Sequence, residues 1–73
     1  MPLKAEDLAD IFTYHAPGPG DLEKYQNIRA AGLFMATVIL DNTPFSPDQT
    51  VAIRKIREAV MTANASIALG GKY

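Results

Sequence analysis

Two short segments of the sequence carry side chains that could bind a nucleotide. In the first, Tyr14 and His15 stand directly before the proline- and glycine-rich stretch 16–20. A flat aromatic ring on a stiff loop can stack on a nucleobase, which stabilises a complex by about 1–3 kcal/mol per base. The alternative, which composition alone favours, is that Tyr14 closes one end of the molecule as a core residue and that His15 hydrogen-bonds to the backbone.

The second segment places cations beside another tyrosine. Tyr25 and Arg29 are four residues apart, so they lie one turn apart on the same face of a helix, and Lys24 is adjacent. A cation near the beginning of a helix suits a phosphate, because the helix dipole favours an anion there as well. The alternative is a solvated charge beside a half-buried tyrosine.

The sequence offers little for catalysis or for a metal. It has no cysteine and one histidine, which excludes disulfides, thiolate metal sites and a histidine-rich zinc site. A catalytic His15 would need a hydroxyl nucleophile and an orienting carboxylate, and only Thr13 is near in sequence. We therefore predict a protein that is not an enzyme and that needs no cofactor or metal.

Charge and hydropathy exclude two further classes of partner. Seven basic residues stand against eight acidic ones, whereas a protein that coats a nucleic-acid polymer is normally strongly basic. The longest apolar stretch, 30–40, falls short of the about 20 residues that a membrane span needs. The first ten residues show no signal-peptide pattern. We predict no contact with nucleic-acid polymers or membranes, and the absence of cysteine fits the cytosol.

The elements that position these side chains are predicted to be helices. Apolar residues at roughly helical spacing predict a short helix within 2–12, and the two Pro-Gly pairs that follow require a loop up to residue 20. The first long helix is predicted over about 21–41, with Asp21 as its N-cap residue.

The second long helix is predicted over about 47–69. Ser46 is expected as its N-cap, Pro47 occupies the first helical position, and Gln49 stands three residues after the cap. Gly70 and Gly71 end this helix.

Two residues inside the long helices bear on packing. Gly32 in mid-helix costs about 1 kcal/mol against alanine, so either another helix crosses closely there or the helix bends. Asn64 lies among small residues and is interpreted as structural, since a buried asparagine at a helix interface often fixes register.

The predicted fold is all-α: one domain over 1–73, with an N-terminal segment 1–20 that contains a short helix, followed by an antiparallel two-helix hairpin. Apolar residues make up 48% of the chain, more than a short hairpin can bury. A lone core of this size rarely supplies more than about 3–5 kcal/mol. We therefore expect a homo-oligomer.

Several of these segments together resemble the helical-hairpin family of phage anti-CBASS sponges, CBASS being a bacterial antiphage system that signals through cyclic oligonucleotides. The similar segments are YHxP at 14–17, YxxIRxA at 25–31, Pro44 and EAVMxANAxIA at 58–68. They extend over most of the chain, from about Phe12 to Ala68, and the last is the most specific.

The resemblance implies a viral protein that binds without turnover in the host cytoplasm. Such proteins form homohexamers that sequester cyclic dinucleotides such as cyclic GMP-AMP, so that host effectors stay silent. By resemblance, Tyr14 stacks on a base, Arg29 meets a phosphate, and His15, Lys24 and Tyr25 are neighbours in the site. Some members also hold cyclic trinucleotides.

Two departures and two alternatives remain. Several family members carry an arginine where this chain continues with 69–71, and this departure leaves open whether the chain has a cyclic trinucleotide site. Many members have tryptophan in place of Thr62. The alternatives are an oligomeric adaptor hairpin that binds another protein, and a sponge for cyclic ADP-ribose-type signals.

Overall fold

A computed structural model of the protein describes residues 2–73, and Met1, the first residue of the predicted segment 1–20, lies outside the described residues. Within that range the chain is all helical and has no strand. Its three helices are α1 (Ala5–Ile11), α2 (Asp21–Asn42) and α3 (Pro47–Ala68). The prediction of a short helix followed by two long ones is confirmed, with α1 narrower than the span 2–12.

The two long helices form the hairpin, and α1 stands apart from it. The connection 43–46 is short, so α3 returns antiparallel along α2, and these two helices pack against each other. In the part of the chain that the structure describes, α1 packs against neither long helix. The molecule therefore consists of a two-helix hairpin and an N-terminal arm, which we define as residues 2–20.

The predicted N-cap of α2 is wrong by one residue. Gly20 occupies the cap position with φ 79°, a left-handed conformation that glycine adopts without steric cost. The carboxylate of Asp21 instead accepts a hydrogen bond from the backbone N–H of Gly18 at 2.8 Å. Asp21 thus closes the preceding turn and places a negative charge in the first turn of the helix, where the dipole favours it.

The predicted beginning of α3 is confirmed, with one difference. Ser46 Oγ accepts the hydrogen bond of the Gln49 N–H at 3.2 Å, and Pro47 is the first helical residue. The Gln49 side chain does not return to the cap, as it would in a capping box. Its Nε2 donates to the carbonyl oxygen and the hydroxyl of Thr43, at 3.2 and 3.1 Å, and Gln49 is only 7% exposed. Gln49 therefore ties α3 to the turn that follows α2.

The end of α3 is a Schellman motif, as two consecutive glycines predict. Gly71 N donates to the Ser66 carbonyl at 2.9 Å and Gly70 N to that of Ile67 at 3.2 Å. Both glycines have positive φ, 63° and 74°. The motif turns the chain back toward α1.

The close helix crossing at Gly32 is the tightest feature of the hairpin interface. A Cβ added at Gly32 would lie 2.7 Å from Cγ2 of Val60 and 3.8 Å from Cγ2 of Ile56. Of the two possibilities that the sequence left, the close crossing is therefore the one that occurs.

The hairpin leaves most of its apolar surface uncovered. No apolar residue among 2–73 is fully buried, and Leu33 and Phe34 are 71% and 72% exposed. A groove of about 640 Å³ runs between α2 and α3 and is lined almost entirely by apolar side chains such as Ile28, Met35 and Ile56. The single chain thus has an interface between its helices but no closed core.

Candidate functional site

Tyr14 presents its ring to solvent at the end of the arm. It follows α1 by three residues and is 83% exposed. The interpretation of Tyr14 as a core residue of the single chain is therefore wrong. An aromatic ring with both faces free has the geometry that base stacking needs.

His15 is fixed to the end of α1. Its Nε2 lies 2.8 Å from the backbone carbonyl oxygen of Asp10, to which it donates when it carries the proton, and 3.5 Å from Asp10 Oδ1. The expectation that His15 bonds to backbone thus agrees with the structure. On the other side of Tyr14, the Thr13 hydroxyl donates to the Ala9 carbonyl. Tyr14 stands between two residues that are both tied to α1.

The residues that follow α3 also contact Asp10. The Tyr73 hydroxyl donates to Asp10 Oδ2 at 3.0 Å, and Lys72 Nζ lies 3.5 Å from the same oxygen. The hydrogen bond from Tyr73 is the main reason why the pKa of Asp10 lies below its usual 3.8, with the charges of Lys72 and His15 acting in the same direction. The pKa of Tyr73 is raised above 10.0 by partial burial and by the same carboxylate.

The second predicted segment lies on the first turns of α2. Cζ of Arg29 stands 5.9 Å from the centre of the Tyr25 ring, within the range of a cation–π contact. A guanidinium above a ring keeps its N–H donors free for an anion. Lys24 and Arg29 are exposed, and neither has an acidic partner within 4.0 Å among residues 2–73. The site therefore offers two cations that no carboxylate neutralises.

Arg57 of α3 adds a third exposed cation. It lines, together with Arg29, a shallow groove of about 260 Å³ whose other walls include Leu33, Ile53 and Met61. The pairing depends on how α2 and α3 lie against each other, so spacing within either helix could not reveal it.

The structure joins some predicted site residues and leaves others apart. Tyr25 contacts Arg29, and His15 contacts the end of α1. No hydrogen bond, ion pair or cation–π contact within residues 2–73 links Tyr14 or His15 to Lys24 or Arg29. In one chain the Tyr14 ring and the cations Lys24 and Arg29 are therefore separate, and we call them the two candidate half-sites.

Comparison with known protein families gives a match. The family described as the Acb2/Tad1 hairpin domain, which is the anti-CBASS sponge family, matches residues 4–68. The chain belongs to this family. The matched range contains α1, α2 and α3 together with all five predicted site residues. Searches of curated proteins and of solved structures gave no match.

Membership in the Acb2/Tad1 hairpin family confirms the resemblance drawn from the sequence and fits a protein that binds rather than catalyses. No helix within residues 2–73 is both long enough and apolar enough to cross a membrane. Asp10 was not singled out from the sequence. Its partners Lys72 and Tyr73 lie more than sixty positions away and outside the matched range, and no local pattern marks such a contact.

Proposed function

We propose that this Acb2/Tad1 hairpin protein is a phage anti-defence sponge that binds and sequesters cyclic dinucleotides, such as cyclic GMP-AMP, in the cytoplasm of the infected host. It binds these messengers without altering them. Effectors that depend on the messenger then remain inactive.

The observation that carries this proposal is an exposed stacking ring together with uncompensated cations in a chain of the sponge family. Tyr14 is fixed at the end of the arm with its ring in solvent. Arg29 is exposed and lies above Tyr25, with its donors available for a phosphate. A ring and a cation are the two groups that a nucleotide requires, since stacking recognises the base and charge-assisted hydrogen bonds hold the phosphate.

We further propose that the functional unit is a homo-oligomer, with a homohexamer as the expected form. The uncovered apolar groove of the hairpin supports this, because monomeric proteins rarely expose large contiguous apolar patches. A neighbouring protomer can supply the missing apolar cover.

An oligomer also resolves the separation of the two candidate half-sites. A cyclic dinucleotide carries two bases and two phosphates, which suits a two-fold pair of protomers. Each protomer then contributes one Tyr14 ring and one set of cations from α2. Under this arrangement His15, Lys24 and Tyr25 are neighbours of the ligand.

A thermal-shift panel tests the proposed ligand class. Cyclic dinucleotides, cyclic trinucleotides and cyclic ADP-ribose derivatives are compared at equal concentration with the linear dinucleotide as control. A ligand at 100 times its dissociation constant stabilises the native state by about 2.7 kcal/mol. A shift with cyclic GMP-AMP and none with the linear control supports the proposal. A shift with cyclic ADP-ribose derivatives alone assigns a different messenger, and no shift with any of them leaves the adaptor alternative.

A further inference from the structure

Asp10 connects the loop that follows α1 with the residues that follow α3. Its carboxylate accepts the Tyr73 hydroxyl at 3.0 Å and lies 3.5 Å from Lys72 Nζ and from His15 Nε2. Its backbone carbonyl lies 2.8 Å from the same histidine nitrogen. We call the three contacts made by Asp10 with His15, Lys72 and Tyr73 the Asp10 clasp.

The Asp10 clasp acts on an arm that has little other support. Helix α1 packs against neither α2 nor α3. The residues after the Schellman motif lie against the beginning of α1 and share a cleft of about 380 Å³ with Pro2, Leu3 and Asp7. Lys72 and Tyr73 are therefore the described residues of the C-terminal end that reach the arm.

The backbone at Tyr14 is held through contacts of its two neighbours. His15 is one residue beyond Tyr14 and is bonded to Asp10, and Thr13 is one residue before it and is bonded to Ala9. A shift of the last turn of α1 therefore moves both neighbours of Tyr14. Holding that turn in place reduces the conformational entropy that a ligand must otherwise remove on binding.

We propose that Lys72 and Tyr73 are positioning residues for nucleotide binding, because through Asp10 they hold the loop that carries Tyr14 in its binding conformation. This rests on the function proposed above. Neither residue touches the ligand in this account. The C-terminal end contributes to affinity through the arm alone.

The test compares Tyr73→Phe, Asp10→Asn and the double variant with the parent protein. Tyr73→Phe removes one hydroxyl and keeps the ring, and Asp10→Asn removes the charge while keeping the backbone carbonyl that His15 contacts. Lys4→Ala is the matched control, since Lys4 belongs to the arm but its side chain forms no ion pair among residues 2–73. Three quantities are measured on each: the dissociation constant for cyclic GMP-AMP, the NMR order parameters of the Tyr14 and His15 amides, and the melting temperature without ligand.

Tyr73→Phe should weaken cyclic GMP-AMP binding about three- to ten-fold, the equivalent of one hydrogen bond. The order parameters of Tyr14 and His15 should fall, and the melting temperature should change little. The loss of affinity in the double variant should be less than the sum of the losses in the two single variants, because the Tyr73 hydroxyl and the Asp10 carboxylate meet in one contact. Lys4→Ala should match the parent.

Two results are decisive against the proposal. If Tyr14→Ala abolishes binding while Tyr73→Phe retains the affinity and the order parameters of the parent, the clasp has no positioning role although the sponge function stands. If the parent binds no cyclic nucleotide, the sponge function fails and the positioning role fails with it. In that case the order parameters still report whether the clasp orders the loop.

Discussion

The hairpin and the N-terminal arm are held by different forces. In the hairpin, α2 and α3 meet through apolar side chains, a close approach at Gly32 and a turn tied by Gln49. Helix α1 of the arm packs against neither long helix, and polar contacts centred on Asp10 connect it to the residues that follow α3. The hydrophobic effect is non-directional, whereas a hydrogen bond requires a particular distance and angle between donor and acceptor.

In the proposed function, the apolar faces of the hairpin serve assembly, whereas the arm takes part in ligand recognition. The apolar faces that the hairpin leaves open suit contacts between protomers, which need area and shape. The arm carries Tyr14 on a loop with fixed ends, which suits recognition of a small, flat ligand. Changes in the apolar faces of the hairpin should therefore act first on assembly and stability. Changes in the arm or in the cations of α2 should act first on binding.

The largest expected effect comes from separating the protomers. We predict an oligomer with no stable folded monomer, because the single chain has no closed core among residues 2–73. Analytical ultracentrifugation at micromolar concentration, combined with circular dichroism during dilution, should show helix content falling as the oligomer dissociates. A folded monomer that persists on dilution would contradict the account of the hairpin.

Substitutions of the proposed site residues in the arm and in α2 should change the affinity for the ligand and leave the fold intact. Tyr14→Ala removes stacking and Arg29→Ala removes a charge-assisted phosphate contact, each at a cost of about 1.5–3 kcal/mol per copy. Two copies act on one ligand, so either variant should weaken cyclic GMP-AMP binding by several kcal/mol. Arg29→Ala should also flatten the dependence of binding on salt.

Titration calorimetry measures both variants, with circular dichroism as the folding control. Unchanged affinity in both would place the ligand elsewhere on the protein. Unfolding of Tyr14→Ala would mean that the ring serves as core in the oligomer, despite its exposure in the single chain.

Substitution of Gly32, where α2 and α3 cross, should change the free energy of unfolding. Gly32→Ala places a methyl group where Val60 already lies, and overpacking of this kind costs about 1–3 kcal/mol. Alanine recovers about 1 kcal/mol of helix propensity, so the net loss should be up to about 2 kcal/mol. Denaturation at fixed protein concentration measures it. Val60→Ala should lower the free energy of unfolding less in the Gly32→Ala variant than in the parent protein. Equal losses in the two backgrounds would show that residues 32 and 60 are not in contact.

The smallest expected effect is at the turn. Ser46→Ala removes the acceptor for the Gln49 N–H and should lower the free energy of unfolding by about 0.5–2 kcal/mol. Ligand preference should not change, since Ser46 belongs neither to the arm nor to the proposed site residues of α2. Chemical denaturation with and without cyclic GMP-AMP measures both. An unaltered denaturation midpoint would mean that the cap contributes nothing.

Most of the hairpin could be predicted from the sequence because its signals are local. The two ends of α3 are marked by Ser46 and Pro47 at its beginning and by the pair of glycines at 70–71 after its last residue. The predicted bounds therefore agree with the observed ones within a few residues. The N-cap of α2 was missed because Gly20 and Asp21 both suit that position, and the choice depends on the bond that Asp21 makes to Gly18. One local rule competed there with another.

The candidate site was only partly predictable, for a different reason. Tyr25 and Arg29 are neighbours through helical spacing alone, so the sequence was sufficient for them. The Asp10 clasp and the groove shared by Arg29 and Arg57 depend on how distant segments meet. Exposure of the Tyr14 ring likewise follows from the separation of α1 from the hairpin, which no spacing within the arm specifies.

The most direct test of the account is a calorimetric titration of the intact protein with cyclic GMP-AMP. After the titration, the nucleotide is recovered from the calorimeter's sample cell and analysed by chromatography. The account predicts saturable binding of one nucleotide per two chains and recovery of the nucleotide unchanged. Absence of saturable binding, or recovery of a hydrolysed nucleotide, would contradict it.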